Sequence, residues 1–261
     1  MKLTCALVSC NRNPLYFDFW PLVKHAWNEI VGIKAKCILI ADEKPPGFED
    51  DEDIILFPSF DDLSDVFISQ CIRLLYPALL EEEGVIISDM DVIPTCRWWY
   101  QDTVKSYPKD SFITYRMVME RHQEVPLCYN AASSKVWGEL FDIKSLDDVK
   151  LKLKKWWDDI FYDGQHDRIG WNKDKKLLWN YLHSYFSEEK NEKWIRLKDY
   201  QTYFQRLDRS LPNLIHWNLT GALVNQIINH NFTDYHMLRP QSIYKKQNNN
   251  IYNFLLINVS I

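Results

Sequence analysis

Gly84-Val85-Ile86-Ile87-Ser88-Asp89-Met90-Asp91-Val92-Ile93-Pro94 is the stretch on which the reading turns. Val85 to Ser88 is too short and too β-branched for a helix, and reads as a strand buried on both faces. Two carboxylates follow at its carboxyl end, where open α/β sheets bind their ligands. Extended backbone sends residues i and i+2 to one side. Asp89 and Asp91 would therefore share one hard divalent cation and leave coordination positions for phosphate oxygens. A second Asp-x-Asp, Asp51-Glu52-Asp53, precedes its strand and so stands at the wrong end.

Upstream, apolar strands near Leu3–Ser9, Cys37–Ala41 and Ile54–Phe57 alternate with a helix near Phe17–Val31. That alternation predicts a mainly parallel sheet with helices on its faces. Between Val66 and Leu80 the apolar residues Phe67, Cys71, Leu74, Leu75, Ala78 and Leu79 trace one face of a helix that feeds the decisive strand. Downstream the pattern loosens into an α+β half. It has strands at Ser111–Arg116, Leu127–Ala131 and Trp194–Leu197, helices near Lys135–Phe141, Asp147–Phe161 and Lys173–Phe186, and a polar tail containing Asn248-Asn249-Asn250. No repeat or low-complexity linker marks a boundary. The expectation is a single domain over residues 1–261, in two halves at 1–95 and 96–261 and with a smaller C-terminal α+β lobe.

Composition removes several alternatives. With 261 residues and 46% apolar content the chain can bury a large core, and a net charge of −5 is the wrong sign for a partner of nucleic acid. Its 7 glycines include no GxGxxG and no P-loop. The 11 Trp, 14 Tyr and 13 Phe exceed what a core needs, so some are expected to line a cleft. Six dispersed cysteines without a CxxC read as buried free thiols of a reducing compartment. The apolar stretch before Cys10 is shorter than a secretory h-region, and nothing approaches the roughly 18 apolar residues of a membrane span. The expectation is a soluble cytoplasmic protein, with the sequons at Asn218, Asn231 and Asn258 as chance matches.

Around the Asp-x-Asp the chain resembles the GT-A glycosyltransferases, whose fold is a Rossmann-like mixed sheet flanked by helices. Cys71-Ile72-Arg73-Leu74-Leu75-Tyr76-Pro77-Ala78-Leu79-Leu80 followed by Asp89-Met90-Asp91 looks like the RLL-P-LL and DxD run of retaining lipopolysaccharide galactosyltransferases and glycogenin. Cys128-Tyr129-Asn130-Ala131-Ala132 looks like their FNAG strand, and the run from Trp171-Asn172-Lys173-Asp174 to Leu178 like their DQ helix start. These landmarks span roughly residues 1 to 240, and the chain is also similar to glycosyltransferases of large DNA viruses.

The resemblance implies transfer of a sugar from a nucleotide diphosphate sugar, a UDP-sugar first, to a glycan hydroxyl with Mn²⁺ or Mg²⁺. It assigns nucleotide binding to the half at 1–95, and acceptor binding and completion of the metal site to the half at 96–261. Asp89 would touch ribose and metal, and Asp91 would be the main metal ligand. Ser9, Cys10, Asn11 and Arg12 would border the nucleoside and Asp42 the base, while Arg73 would reach the diphosphate and Asn130 a donor hydroxyl. His236 would complete the metal site, with His216 as rival, and Arg239 would hold phosphate. Arg206 and Arg209 either face the diphosphate or pair with Asp208 at the surface. Asp174 is the carboxylate expected near the anomeric carbon, although Lys175 replaces the family's Gln and leaves retention of configuration open. Asp163 and Asp167 would contact acceptor from a loop.

Each position also has a plain alternative: Arg73 as a solvated helix residue, Asn130 as a turn residue, Asp174 as an N-cap. Two rival functions remain open. A strand ending in Asp-x-Asp also describes phosphatases of the haloacid dehalogenase type, though their pair usually follows the first strand. A carbohydrate-binding module would instead use Trp98, Trp99, Trp156 and Trp157 as stacking platforms.

Overall fold

The structure is a computed structural model that describes residues 1–261 except 159–161, 163–169, 212–213, 215–220, 230–231 and 260–261. Strand β1 (Cys5–Asn11) leads through α1 (Pro14–Phe17) and α2 (Trp20–Ala26) to β2 (Lys34–Ile40) and β3 (Ile54–Phe57). Helix α3 (Asp65–Leu75) is continued by a 3₁₀ turn at Tyr76–Leu79, where Pro77 ends regular helix, and delivers β4 (Val85–Ile87). Then come β5 (Val92–Pro94), α4 (Arg97–Lys105), β6 (Phe112–Thr114), β7 (Asn130–Ala132), α5 (Ser134–Phe141), α6 (Leu146–Asp158) and α7 (Lys173–Tyr185). The last third carries β8 (Trp194–Arg196), α8 (Asp199–Thr202), β9 (Arg206–Asp208), α9 (Gly221–Ile228), β10 (Asp234–His236) and α10 (Gln241–Val259).

Seven strands form one sheet in the order β3-β2-β1-β4-β7-β6-β8. Pairing is parallel from β3 to β4, antiparallel on both sides of β7, and parallel again between β6 and β8. The α/β class and the mixed sheet flanked by helices are as the sequence predicts. Alternation along β1 shows how the sheet is covered: Ala6, Val8 and Cys10 face one core cluster, Cys5 and Leu7 the other. The first cluster is closed by α2, α4 and α10, the second by α3, α5, α6 and α7. All six cysteines are buried and unbridged. Gly84 meets a close approach, since a Cβ there would lie 2.3 Å from the Lys2 carbonyl oxygen.

The chain winds from β1 to β2 and β3 on one side, then returns to lay β4 on the other side of β1. A crevice opens at such a reversal, and both Asn11 and Asp89 emerge there.

Two features depart from the sequence reading. The supposed polar tail is the helix α10, whose Asn248, Ile251, Tyr252 and Leu255 are buried at a spacing of one helix face. A second sheet, β5-β10-β9, joins segments separated by more than a hundred residues and lay outside the expected strands. Among the described residues no helix is long and apolar enough to cross a membrane.

Candidate active site

Met90 and Asp91 form a turn between β4 and β5 rather than continuing the strand. The two carboxylates consequently enter two adjoining clusters, where extended backbone would have aimed both at one point.

The first cluster gathers on Asp89. Arg73, in the last turn of α3, pairs with Asp89 and donates to the Ser88 carbonyl at 3.1 Å. Its Nη2 lies 3.5 Å from Asp174 Oδ2, and its Nε is buried without a partner among the described residues. Arg73 is therefore a largely buried, ion-paired side chain and not a solvated helix position. The Cys128 thiol donates to Asp89 Oδ2 at 2.6 Å. Enclosure by protein atoms pushes the Asp89 carboxyl up, but Arg73 and the Cys128 hydrogen bond outweigh it and hold the group well below the carboxylate range.

Asp174 is 4% exposed in the first turn of α7, and the N-cap there is Asn172. The N-cap alternative for Asp174 is thereby corrected: it is the second residue of the helix, with Lys173 between it and the cap. Burial pushes its carboxyl up, against the opposing pull of Arg73.

The second cluster gathers on Asp91, which is 5% exposed. Arg209 Nη1 lies 3.0 Å, His236 Nε2 3.4 Å and Arg239 Nη1 3.5 Å from Asp91 Oδ2. Burial raises the Asp91 carboxyl, and His236 and Arg209 more than compensate, leaving it lowered. The small sheet assembles this group: His236 stands opposite Val92 in β5 and opposite Asp208 in β9. Asp208 Oδ2 accepts from His236 Nδ1 at 3.1 Å and fixes the ring, while Nε2 faces both Arg209 Nη2 and Asp91. Burial would raise Asp208, but the Ser210 N–H and His236 draw it down to about 2. Arg239 Nη1 also donates to Tyr16 Oη at 3.0 Å.

Carboxylate oxygen and imidazole nitrogen converging from Asp91 and His236 are the donor chemistry of a Mn²⁺ or Mg²⁺ ligand pair. Asp89, the expected third ligand, is turned to Arg73 and Cys128. Among the described residues no group of three His, Cys, Asp or Glu is disposed to hold a metal ion. His216, Asp163 and Asp167 lie outside the described residues.

The remaining expected positions divide. Arg12 pairs with Glu43 at 3.3 Å on the surface, Asn11 accepts from the Asn13 N–H, and Asp42 is exposed, so all three stand at the carboxyl ends of β1 and β2. Ser9 donates to the Ser69 carbonyl and ties β1 to α3. Asn130 requires correction: it is fully buried, donates to the Pro126 and Leu127 carbonyls and accepts from Thr114 Oγ1. Its amide is spent on the loop, as the turn-residue alternative has it. Arg206 is held by buried Asp234 at 2.8 Å and does not face Asp91. Of the proposed stacking tryptophans, Trp99 and Trp156 are core residues, and only Trp98 is substantially exposed, at 37%.

Sequence reasoning missed Cys128, Asp208 and Tyr16 as members of the site. Nothing local marks them, because each gains its role from a strand pairing or a loop return.

No family model matches the chain, and no curated protein matches it. Solved structures with a similar path include the apo-form glycosyltransferase GlyE of Streptococcus pneumoniae TIGR4, at 10% identity and a TM-score of 0.45 over 98% of this chain. The apo bifunctional glycosyltransferase WbbM matches at 9% identity and a TM-score of 0.46 over 99% of this chain. The chain spans 63% of the length of the GlyE structure and 50% of the WbbM structure.

Proposed function

We propose that this protein transfers a sugar from a nucleotide diphosphate sugar, a UDP-sugar by its sequence resemblance, to a hydroxyl of a glycan, with Asp91 and His236 as the pair that would hold Mn²⁺ or Mg²⁺. The observation that carries the reading is the meeting of Asp91, His236, Arg209 and Arg239 beside Arg73 and Asp89 at the carboxyl end of β4. Acidic ligands ringed by guanidinium groups suit a ligand that brings both a cation and a diphosphate.

When bound, the ion would act as a Lewis acid toward the leaving diphosphate. The chain's own residues bind and orient. Arg209 and Arg239 share the carboxylate of Asp91, and donors aimed at it are positioned to receive phosphate oxygens at the same place. Arg73, braced by Asp89 and Asp174, supplies fixed positive charge where negative charge grows as the sugar leaves. Tyr16 holds Arg239 in register. Asp174 is a buried carboxyl 3.5 Å from Arg73. With inversion, a carboxylate such as Asp174 takes the acceptor hydroxyl proton; with retention, the leaving phosphate oxygen takes it.

Thermal shift tests the proposal. UDP, GDP and CDP are each added with Mn²⁺ or with EDTA, since a ligand of the folded state raises Tm. Stabilisation by one nucleotide that needs the cation and disappears in Asp91→Ala is the expected result. If no nucleotide stabilises the protein while Mg²⁺ with a phosphate analogue does, the proposal fails in favour of a phosphatase.

A further inference from the structure

Between α1, α2 and α10 the fold leaves a cavity of about 610 Å³, within the range of small-molecule sites. Its two walls differ in chemistry. One side carries Phe17, Pro21 and Leu22 with Phe48, whose ring meets Phe17 edge to face at 5.1 Å, together with Asp18 and His25, the latter hydrogen-bonded to Tyr252 across the cavity. On the other, Gln241, Lys245, Asn249 and Asn253 recur every four residues and so form one stripe of α10.

A neighbouring residue shows what a structural asparagine does in this helix. Buried Asn248 accepts from Tyr235 Oη and the Leu238 N–H, and donates to the Leu238 carbonyl and to Gln241. By contrast, the side chains of Lys245, Asn249 and Asn253 take no hydrogen-bond partner among the described residues and line the cavity instead. Asn248 is buried and satisfied within the fold, whereas Asn249 is half-buried and Asn253 exposed at the cavity, where their amides are open to a ligand or to water.

We propose that this cavity is a saccharide-binding site for one or two pyranose rings. A pyranose has an apolar C–H face, which packs on aromatic and aliphatic surface. Its edge carries vicinal hydroxyls, and each amide offers them a donor and an acceptor together. Lys245 and His25 add further polar groups at the same opening. The cavity adjoins the Asp91 cluster through one contact: Phe17 follows Tyr16, Gln241 stands two residues beyond Arg239, and Arg239 donates to Tyr16. A glycan seated there lies beside the transfer site. That placement rests on the glycosyl-transfer reading, whereas the binding of sugar does not.

The test is saturation-transfer NMR on the whole chain without nucleotide or metal. The probes are methyl glycosides of glucose, galactose, mannose and N-acetylglucosamine, with lactose and maltose. At least one probe is expected to receive saturation, to lose it about five-fold or more in Asn249→Leu and in Asn253→Ala, and to keep it in Asp91→Ala. The second cavity variant serves if the first fails to fold. A signal lost in Asp91→Ala but kept in both cavity variants puts the sugar in the transfer site and overturns the proposal. Absence of saturation in every probe overturns it as well. Failure of the transfer reading is read separately, from the nucleotide thermal shifts.

Discussion

Replacing Arg73 by Met removes the guanidinium that touches both Asp89 and Asp174 while keeping much of the side chain's length. Breaking a buried ion pair from one side costs about 3–5 kcal/mol, because the partner charge is left uncompensated. Asp174 is almost wholly buried, but 39% of the Asp89 side chain is exposed, which lets water compensate part of its charge. The expected loss is therefore about 3 kcal/mol at pH 7, read by urea unfolding through tryptophan fluorescence. The pH dependence supplies a sharper check. Burial raises the Asp174 carboxyl in the fold, and losing Arg73 removes the pull against that rise. A carboxyl raised above its unfolded value of about 3.9 binds more protons folded than unfolded, so folding gains from acid until the unfolded group is protonated as well. The gap between wild type and Arg73→Met should narrow between pH 7 and pH 5. Arg73→Met with Asp174→Asn should lose less than the two single changes summed. A loss under about 1 kcal/mol, or one equal at both pH values, would refute the assignment of Arg73 as the brace of these carboxylates.

Further outcomes follow from other contacts. Asn130→Ala leaves the Pro126 and Leu127 carbonyls without their donor and should cost about 2–3 kcal/mol in urea unfolding, a loss that would be absent if the amide served only a donor sugar. Burial raises the Asp51 carboxyl, and hydrogen bonds from Lys24 and Trp20 more than offset this and lower it. Its stabilisation is present above the unfolded value near 3.9 and lost as pH falls through the folded one, so Asp51→Asn should cost about 1–2 kcal/mol at pH 7 and nothing measurable once wild-type Asp51 is protonated. Trp99→Ala should cost about 3–5 kcal/mol and Trp98→Ala under about 1, since Trp99 is enclosed by Tyr100, Tyr115, Tyr129 and Phe204. Equal small losses in calorimetry would restore the stacking-platform reading.

The sequence by itself determined what depends on neighbours along the chain. Strand β4 is legible because Val85-Ile86-Ile87 is apolar on both faces, and α3 because its apolar residues recur with the helical period. Those two elements place Arg73 and Asp89 near one strand end, so half of the site was readable. His236 was singled out with Arg239 from a short motif, and both reach Asp91.

Tertiary structure decided the rest. The turn at Met90-Asp91 sends the two carboxylates to separate clusters, a choice made by the pairing of β5 with β10 rather than by local propensity. Asp208 faces His236 only because β9 lies in register beside β10. Asn130 is expected to hold a donor hydroxyl because its segment resembles the FNAG strand, yet its three hydrogen bonds are to groups that arrive from β6 and from the loop before it. Helix α10 was missed because Asn248 reads as polar, and only the folded chain brings Tyr235, Leu238 and Gln241 to satisfy its amide. Periodicity is a property of adjacent residues and survives in the sequence. Partnership between strands and the satisfaction of buried polar groups depend on chain returns of tens to hundreds of residues, and no local pattern records which return closes.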